Sequence, residues 1–169
     1  FCSVQNNNVI SMHDVDTVYS IPILLNKQKV DEIILKKLNV KTKKPNLNDW
    51  KRVVKAKLHP VKEVNVSFVG KYTELKDSYK SINEALEHAG IQNKAKVNIN
   101  FVEAEEITPK NVKKILKNSD AVLVPGGFGE RGIEGMITAC KHARENDIPY
   151  LGICLGMQVA IIEYARNVL

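Results

Sequence analysis

From residue 62 onward, short apolar runs of strand length alternate with amphipathic runs of helix length, and this alternation constrains the fold more than any other property of the chain. Strands separated by helix-length connections cannot join through tight hairpins; they pair in parallel, with helices covering the faces of the sheet. Residues 64–70 (VNVSFVG) read as the first strand. Residues 78–89 read as a helix that turns Tyr79, Ile82, Leu86 and Ala89 inward and stops at Gly90. A strand over 97–102 follows, then a helix capped by Thr108 and opened by Pro109, with Val112, Ile115 and Leu116 toward the core. Residues 121–124 (AVLV) form a short, wholly apolar strand, followed by a helix over about 133–146, a strand over 148–153 and a helix from Leu155. That last helix carries Val159, Ala160, Ile161 and Ile162 and is apolar almost all round, which predicts burial. The expected fold class is α/β, a mostly parallel sheet with flanking helices, truncated and preceded by a mainly helical stretch.

Residues 1 to about 60 follow another pattern and read as the tail of a preceding domain. Phe1-Cys2-Ser3-Val4 resembles the end of a buried strand, and Val9-Ile10-Ser11 a second short one. Pro22 suits the first turn of a helix. Val30, Ile33, Ile34 and Leu38 recur at helical spacing, with Asp31 and Glu32 in front and Lys36 and Lys37 behind, as the helix dipole favours. Residues 39–46 are polar, basic and proline-bearing, and predict a loop. Leu47, Trp50, Val53, Val54 and Leu58 then mark an amphipathic helix that ends before His59-Pro60.

With 169 residues there is room for one domain with a real core and part of another. The chain starts at Phe1 without Met and stops within a helical pattern at Leu169, so it is expected to be a piece of a longer protein. No apolar run reaches membrane-spanning length and no signal-peptide pattern is present, which predicts a soluble, cytoplasmic parent with no membrane partner. Cys2, Cys140 and Cys154 have no paired spacing, which argues against both a disulfide framework and a metal site. Beneath the net charge of +6 and pI of about 9.2, Lys36, Lys37, Lys41, Lys43 and Lys44 cluster around one short segment and Lys110, Lys113, Lys114 and Lys117 around one helix. With one Trp and no aromatic-plus-basic module, these read as solvated faces rather than a nucleic-acid surface.

The chemistry concentrates at GICLGMQ, residues 152–158, on the corner between the last strand and the last helix. A tight strand-to-helix turn projects its apex side chain out of the sheet, and Gly152 and Gly156 leave out the side chains that would obstruct it. Cys154 stands at that apex and at a helix N-terminus, where backbone N–H groups favour a thiolate. The loop PGGFG, residues 125–129, leaves the preceding apolar strand at the same carboxyl edge, where open α/β sheets bind ligands. The N–H of Gly127 and that of Leu155, the residue after the nucleophile, suit a two-donor oxyanion hole. Together they suggest acyl transfer through a thioester; a tight turn and a structural thiol are the plainer readings of each alone. Gln158, one turn beyond Cys154, is placed to hold a substrate's polar end or to cap a loop, and Phe128 to cover an aliphatic stem or to plug the core. His13, His59, His88 and His142 are the only histidines, and none has the setting of a catalytic base.

GICLGMQ with PGGFGERGIEG resembles the N-terminal half of a class I glutamine amidotransferase domain, and VGKYTELKDSYKSINEALEHAGI, preceded by HDVDTVYSIPILL, is similar to the CTP synthase family. The resemblance implies that residues 1–44 end a synthetase domain, 45–61 form an interdomain linker helix and 62–169 begin the glutaminase domain. It implies a two-site enzyme in which ammonia from glutamine aminates UTP to CTP with ATP and Mg, in a homotetramer. It implies Cys154 as nucleophile, Gly127 and Leu155 as the oxyanion hole, and Phe128 and Gln158 at glutamine. By the same resemblance His13, Asp14 and Val15 lie near adenine of ATP, Phe1 near a bound CTP, and Tyr72, Lys80 and Arg131 at the allosteric activator GTP. Bacterial members often carry lysine where His13 stands. The magnesium ligands are expected before Phe1 and the catalytic His and Glu after Leu169, so these residues alone are expected to be inactive. Two other readings stay open at this point: another triad amidotransferase, and a non-catalytic α/β module with a redox-active Cys154.

Overall fold

The structure, a computed structural model, describes residues 3–169, the side chain of Lys76 excepted. Two compact units divide the chain, one running to Val61 and taking in Gly90–Ala95, the other comprising Lys62–Ala89 and Lys96–Leu169.

The N-terminal unit carries α1 (Ile21–Lys27), α2 (Val30–Lys37) and α3 (Asn48–Leu58). Pro22 sits in the first turn of α1, where its missing N–H costs no hydrogen bond. Asp31 and Glu32 open α2, and Lys36 and Lys37 close it. Residues 40–46 are irregular and exposed, as their polarity predicts. The short strand expected over 9–11 does not form, and the one expected over 1–4 falls partly outside the described residues. Phe1 and Cys2 lie outside the described residues, and Ser3 and Val4 are exposed and unpaired with any strand. Ser11 finds a side-chain partner instead: its N–H donates to Gln28 Oε1 and its carbonyl accepts from Gln28 Nε2, both at 2.8 Å. No residue of α1, α2 or α3 is fully buried, so this unit has little core of its own.

The second unit is a four-stranded parallel sheet in the order β2-β1-β3-β4, with β1 (Lys62–Gly70), β2 (Ala95–Glu103), β3 (Ala121–Val124) and β4 (Tyr150–Gly152). Val66 aligns with Ala121 and Phe68 with Leu123 between β1 and β3; Val122 aligns with Tyr150 and Val124 with Gly152 between β3 and β4. Alternation along β1 distributes its side chains between two cores. Val66 and Phe68 join Leu123 beneath α4 (Lys80–Gln92), where the Phe68 ring centroid lies 4.6 Å from that of Tyr79 and 5.1 Å from that of Phe101. Val69 faces the other way, into the core formed with α6 (Ile133–Glu145) and α7 (Leu155–Asn167).

Three expectations are corrected here. Gly90 does not stop α4, which runs to Gln92; Gly90 is buried within the helix, whereas Ala89 is exposed. Thr108 and Pro109 precede a turn rather than a helix, and α5 (Val112–Ile115) is a single turn whose N-cap position is Asn111; Thr108 still supplies a carbonyl for the N–H groups of Asn111 and Val112. The last helix is not buried all round. Its inner stripe is Gly156, Val159 and Glu163, whereas Met157, Ile161, Ile162 and Tyr164 are exposed, because α7 packs on α6 and β4 along one side only and β4 is the last strand of the sheet.

Candidate functional site

Because β3 and β4 run parallel, Val124 and Gly152 end at the same edge, and the chain leaves both strands there. The N–H of Ile153 still donates to the carbonyl of Val124 at 2.9 Å, extending the pairing one residue past the strand. The chain then turns. Cys154 adopts φ 52° and ψ −101°, a conformation that costs a non-glycine residue on the order of 1–3 kcal/mol and persists only where its surroundings enforce it. Those surroundings are visible. A Cβ on Gly152 would collide with the backbone of Gly156, and one on Gly156 with the carbonyl of Val124. The hydroxyl of Tyr150 donates to the carbonyl of Gly156 at 2.8 Å, tying the first turn of α7 back onto β4. Burial, with Cys140 beside it, pushes the Tyr150 phenol well above its ordinary range, so it stays a donor.

The thiol thus projected is exposed. Cys140 is its opposite: buried on α6, its thiol pushed upward by burial and by nearby Glu163. The carbonyl of Cys154 accepts the N–H groups of Met157 and Gln158 at 3.1 and 3.2 Å, starting the helix, while that of Ile153 takes the N–H of Gly156 at 3.0 Å. The N–H of Leu155 meets no acceptor among the described residues, and neither does that of Gly127.

The 125–129 loop faces this corner. A Cβ added to Gly126 would lie 3.6 Å from Cβ of Cys154, and one added to Gly127 3.2 Å from Cδ2 of Leu155. Cys154, Gly127 and Leu155 therefore occupy one locality, with Gln158 exposed one turn along α7. Phe128 is 95% exposed, which removes the core-plug reading of it. No histidine is hydrogen-bonded to Cys154 among the described residues: His142 faces Asn146 along α6, His88 lies 4.0 Å from Glu84, and His13 and His59 belong to the N-terminal unit.

Tyr72 and Arg131 also come together. The guanidinium lies 4.3 Å above the Tyr72 ring, donates from Nε to Glu105 at 2.7 Å and approaches Glu103 at 3.8 Å. Its bonds to Tyr72 and then Glu105 raise its affinity for its proton further. These residues line a cleft of about 750 Å³ with Glu74 and Glu106. Lys80 is exposed at the start of α4 and does not line it. His13 and Asp14 are exposed and Val15 half-buried in irregular chain of the other unit; Phe1 lies outside the described residues. No group of three or more His, Cys, Asp or Glu among the described residues is arranged to hold a metal.

Two residues of this edge escaped the sequence reading. Lys71, directly after β1 and only 6% exposed, donates from Nζ to the carbonyls of Phe128 and Gly129 at 2.9 and 2.6 Å. Glu103, at the end of β2, accepts the N–H groups of Tyr72 and Thr73 at 3.2 and 3.0 Å. A lysine directly following a buried strand was the only signal for the first; nothing local marks the second.

Residues 74–169 match the family described as glutamine amidotransferase class-I, and residues 1–40 match the CTP synthase N-terminus. A solved structure of the Trypanosoma brucei CTP synthase glutaminase domain, with bound acivicin, is similar at 43% sequence identity and a TM-score of 0.59, over 62% of this chain and 41% of that one. The chain therefore spans less than half the length of that relative.

Proposed function

The chain belongs to the class I glutamine amidotransferase family, and from that premise we propose that it supplies the nucleophile half of a glutaminase site in a CTP synthase. The segment matching the CTP synthase N-terminus and the likeness to a CTP synthase glutaminase domain are consistent with part of such an enzyme. In this reading the Cys154 thiolate attacks the side-chain carbonyl carbon of glutamine, and the carbonyl oxygen becomes an oxyanion between the N–H groups of Gly127 and Leu155. Collapse of that intermediate breaks the carbon–nitrogen bond and releases ammonia, leaving a γ-glutamyl thioester on Cys154. Water then attacks the thioester carbon, and glutamate leaves with the thiolate restored. Phe128 and Gln158 flank the substrate. The base and acid for the proton transfers come from residues other than the four histidines here. The observation that carries the reading is the strained, exposed Cys154 at the apex of a corner whose neighbouring loop offers unpaired N–H donors.

The wider reading makes UTP and ATP with Mg the substrates of a second site, in a cytoplasmic homotetramer with neither a nucleic-acid nor a membrane partner; among the described residues no helix is long and apolar enough to cross a membrane. His13, Asp14 and Val15 would contribute to the ATP site and Phe1 to a CTP site. GTP would act near Tyr72 and Arg131, whose shared cleft supports their part of that reading, whereas Lys80 stands outside its lining.

The test uses the intact enzyme chain and a diazo-ketone analogue of glutamine. The analogue is expected to alkylate Cys154, and Cys154→Ala to abolish both labelling and glutamine hydrolysis while ammonia-dependent CTP formation continues. Labelling at another residue, or full hydrolysis by Cys154→Ala, would overturn the assignment.

A further inference from the structure

We propose that Lys71 is a positioning residue for the oxyanion hole, clamping the 125–129 loop so that the Gly127 N–H stays turned toward the oxygen of the carbonyl that Cys154 attacks; this rests on the reading of Cys154 as nucleophile. Gly126-Gly127 is the most freely rotating dipeptide a chain can present, so a donor built on it needs an outside restraint. β3 holds the entry to the loop at Val124. Lys71 holds its exit, because its ammonium takes both the Phe128 and the Gly129 carbonyl. A trans peptide carries its N–H opposite its C=O, so two carbonyls drawn onto Lys71 also turn the N–H groups of Gly129 and Glu130 away from it. The lysine stem fills the space beneath Gly127, with Cδ and Cε each 4.0 Å from the position of a Cβ there.

An apolar side chain would fill that space equally well, and a buried ammonium is costly unless its protons are taken. Among the described residues no carboxylate pairs with Lys71; its protons go to the loop. The lysine is itself anchored on rigid elements. Its carbonyl accepts the Tyr79 hydroxyl at 2.5 Å, and the Glu103 carboxylate holds the two N–H groups that follow it. The clamp thus runs from the ends of β1 and β2 to the loop after β3.

Lys71→Met keeps the stem and removes the donors. In the intact enzyme its glutaminase kcat is expected to fall by about 10²-fold, the scale of losing one oxyanion donor, with KM nearly unchanged. Alkylation of Cys154 by iodoacetamide, in which sulfur displaces iodide and no oxyanion forms, is expected to keep its wild-type rate and pH profile. Wild-type hydrolysis by the folded variant would overturn the proposal, and so would a parallel fall in alkylation, which would place Lys71's effect on the thiol. Lys71→Gln, with one amide donor on a shorter stem, carries the same two readouts should the methionine variant not fold; loss of folding in both would make Lys71 a residue of the fold rather than of the loop. Hydrolysis surviving in Cys154→Ala would instead remove the underlying reading, and is measured separately.

Discussion

Cys154 and its two glycines show how a single backbone conformation is forced on a chain. The corner at φ 52° is unfavourable for cysteine by itself, and it holds because Gly152 and Gly156 let the start of α7 lie directly against β3 and β4. Gly156→Ala would drive a methyl group into the Val124 carbonyl, which is backbone of a central strand and cannot move aside cheaply. The variant is expected to lose glutaminase activity and to melt several degrees lower, on the order of 2 kcal/mol or more, since steric strain at a special backbone position is among the severe mechanisms. A melting temperature equal to wild type, read by circular dichroism, would show that the contact relaxes. Gly126→Ala meets only ordinary contacts at 3.6 Å and serves as the milder control.

Packing between elements turns on an ion pair that periodicity could not foresee. Glu163 faces inward from α7 at 1% exposure and accepts from Arg144 of α6 at 2.8 and 3.0 Å, with Lys141 bonded to Asn167 beside it. The Arg144 hydrogen bonds hold the Glu163 carboxyl below the usual carboxylate range, against the opposing effect of burial. A carboxyl with a depressed folded-state pKa adds stability that is present above its unfolded value of about 4 and is lost as the pH falls through the folded value. Thermal unfolding followed from about pH 5 down to about pH 3 should therefore show a falling midpoint, with a shallower fall in Glu163→Gln. Identical slopes in the two proteins would show that other carboxyls dominate the acid transition. The pair also explains why α7 carries a charge on its inner stripe: the helix needs a partner on α6 there, and Arg144 reaches it.

At the scale of the whole chain, the two units differ in how they are held. The sheet unit has two cores and buries Phe68, Val69, Val122 and Val124 completely, whereas Thr17 is the only residue before Val61 that is buried among those described. The exposed, irregular stretch through Lys41 and Lys43 is accordingly the expected first site of tryptic cleavage, ahead of any bond within the sheet unit. Fragments arising first from within 62–169 would contradict that order. The sequence by itself determined the four strands, the presence of α4, α6 and α7 and the corner at Cys154, because hydrophobic period and glycine placement are local properties that a parallel sheet obeys. It also determined that the 125–129 loop and the corner share one edge, since strands joined by helices end on the same side. Only the tertiary structure decided which face of α7 is inner, that Gln28 replaces a strand partner for Ser11, and that α5 shrinks to one turn. It alone brought Lys71 onto the carbonyls of Phe128 and Gly129, 57 and 58 residues away along the chain. Such contacts are fixed by where strands lie side by side, and no spacing along the sequence encodes that.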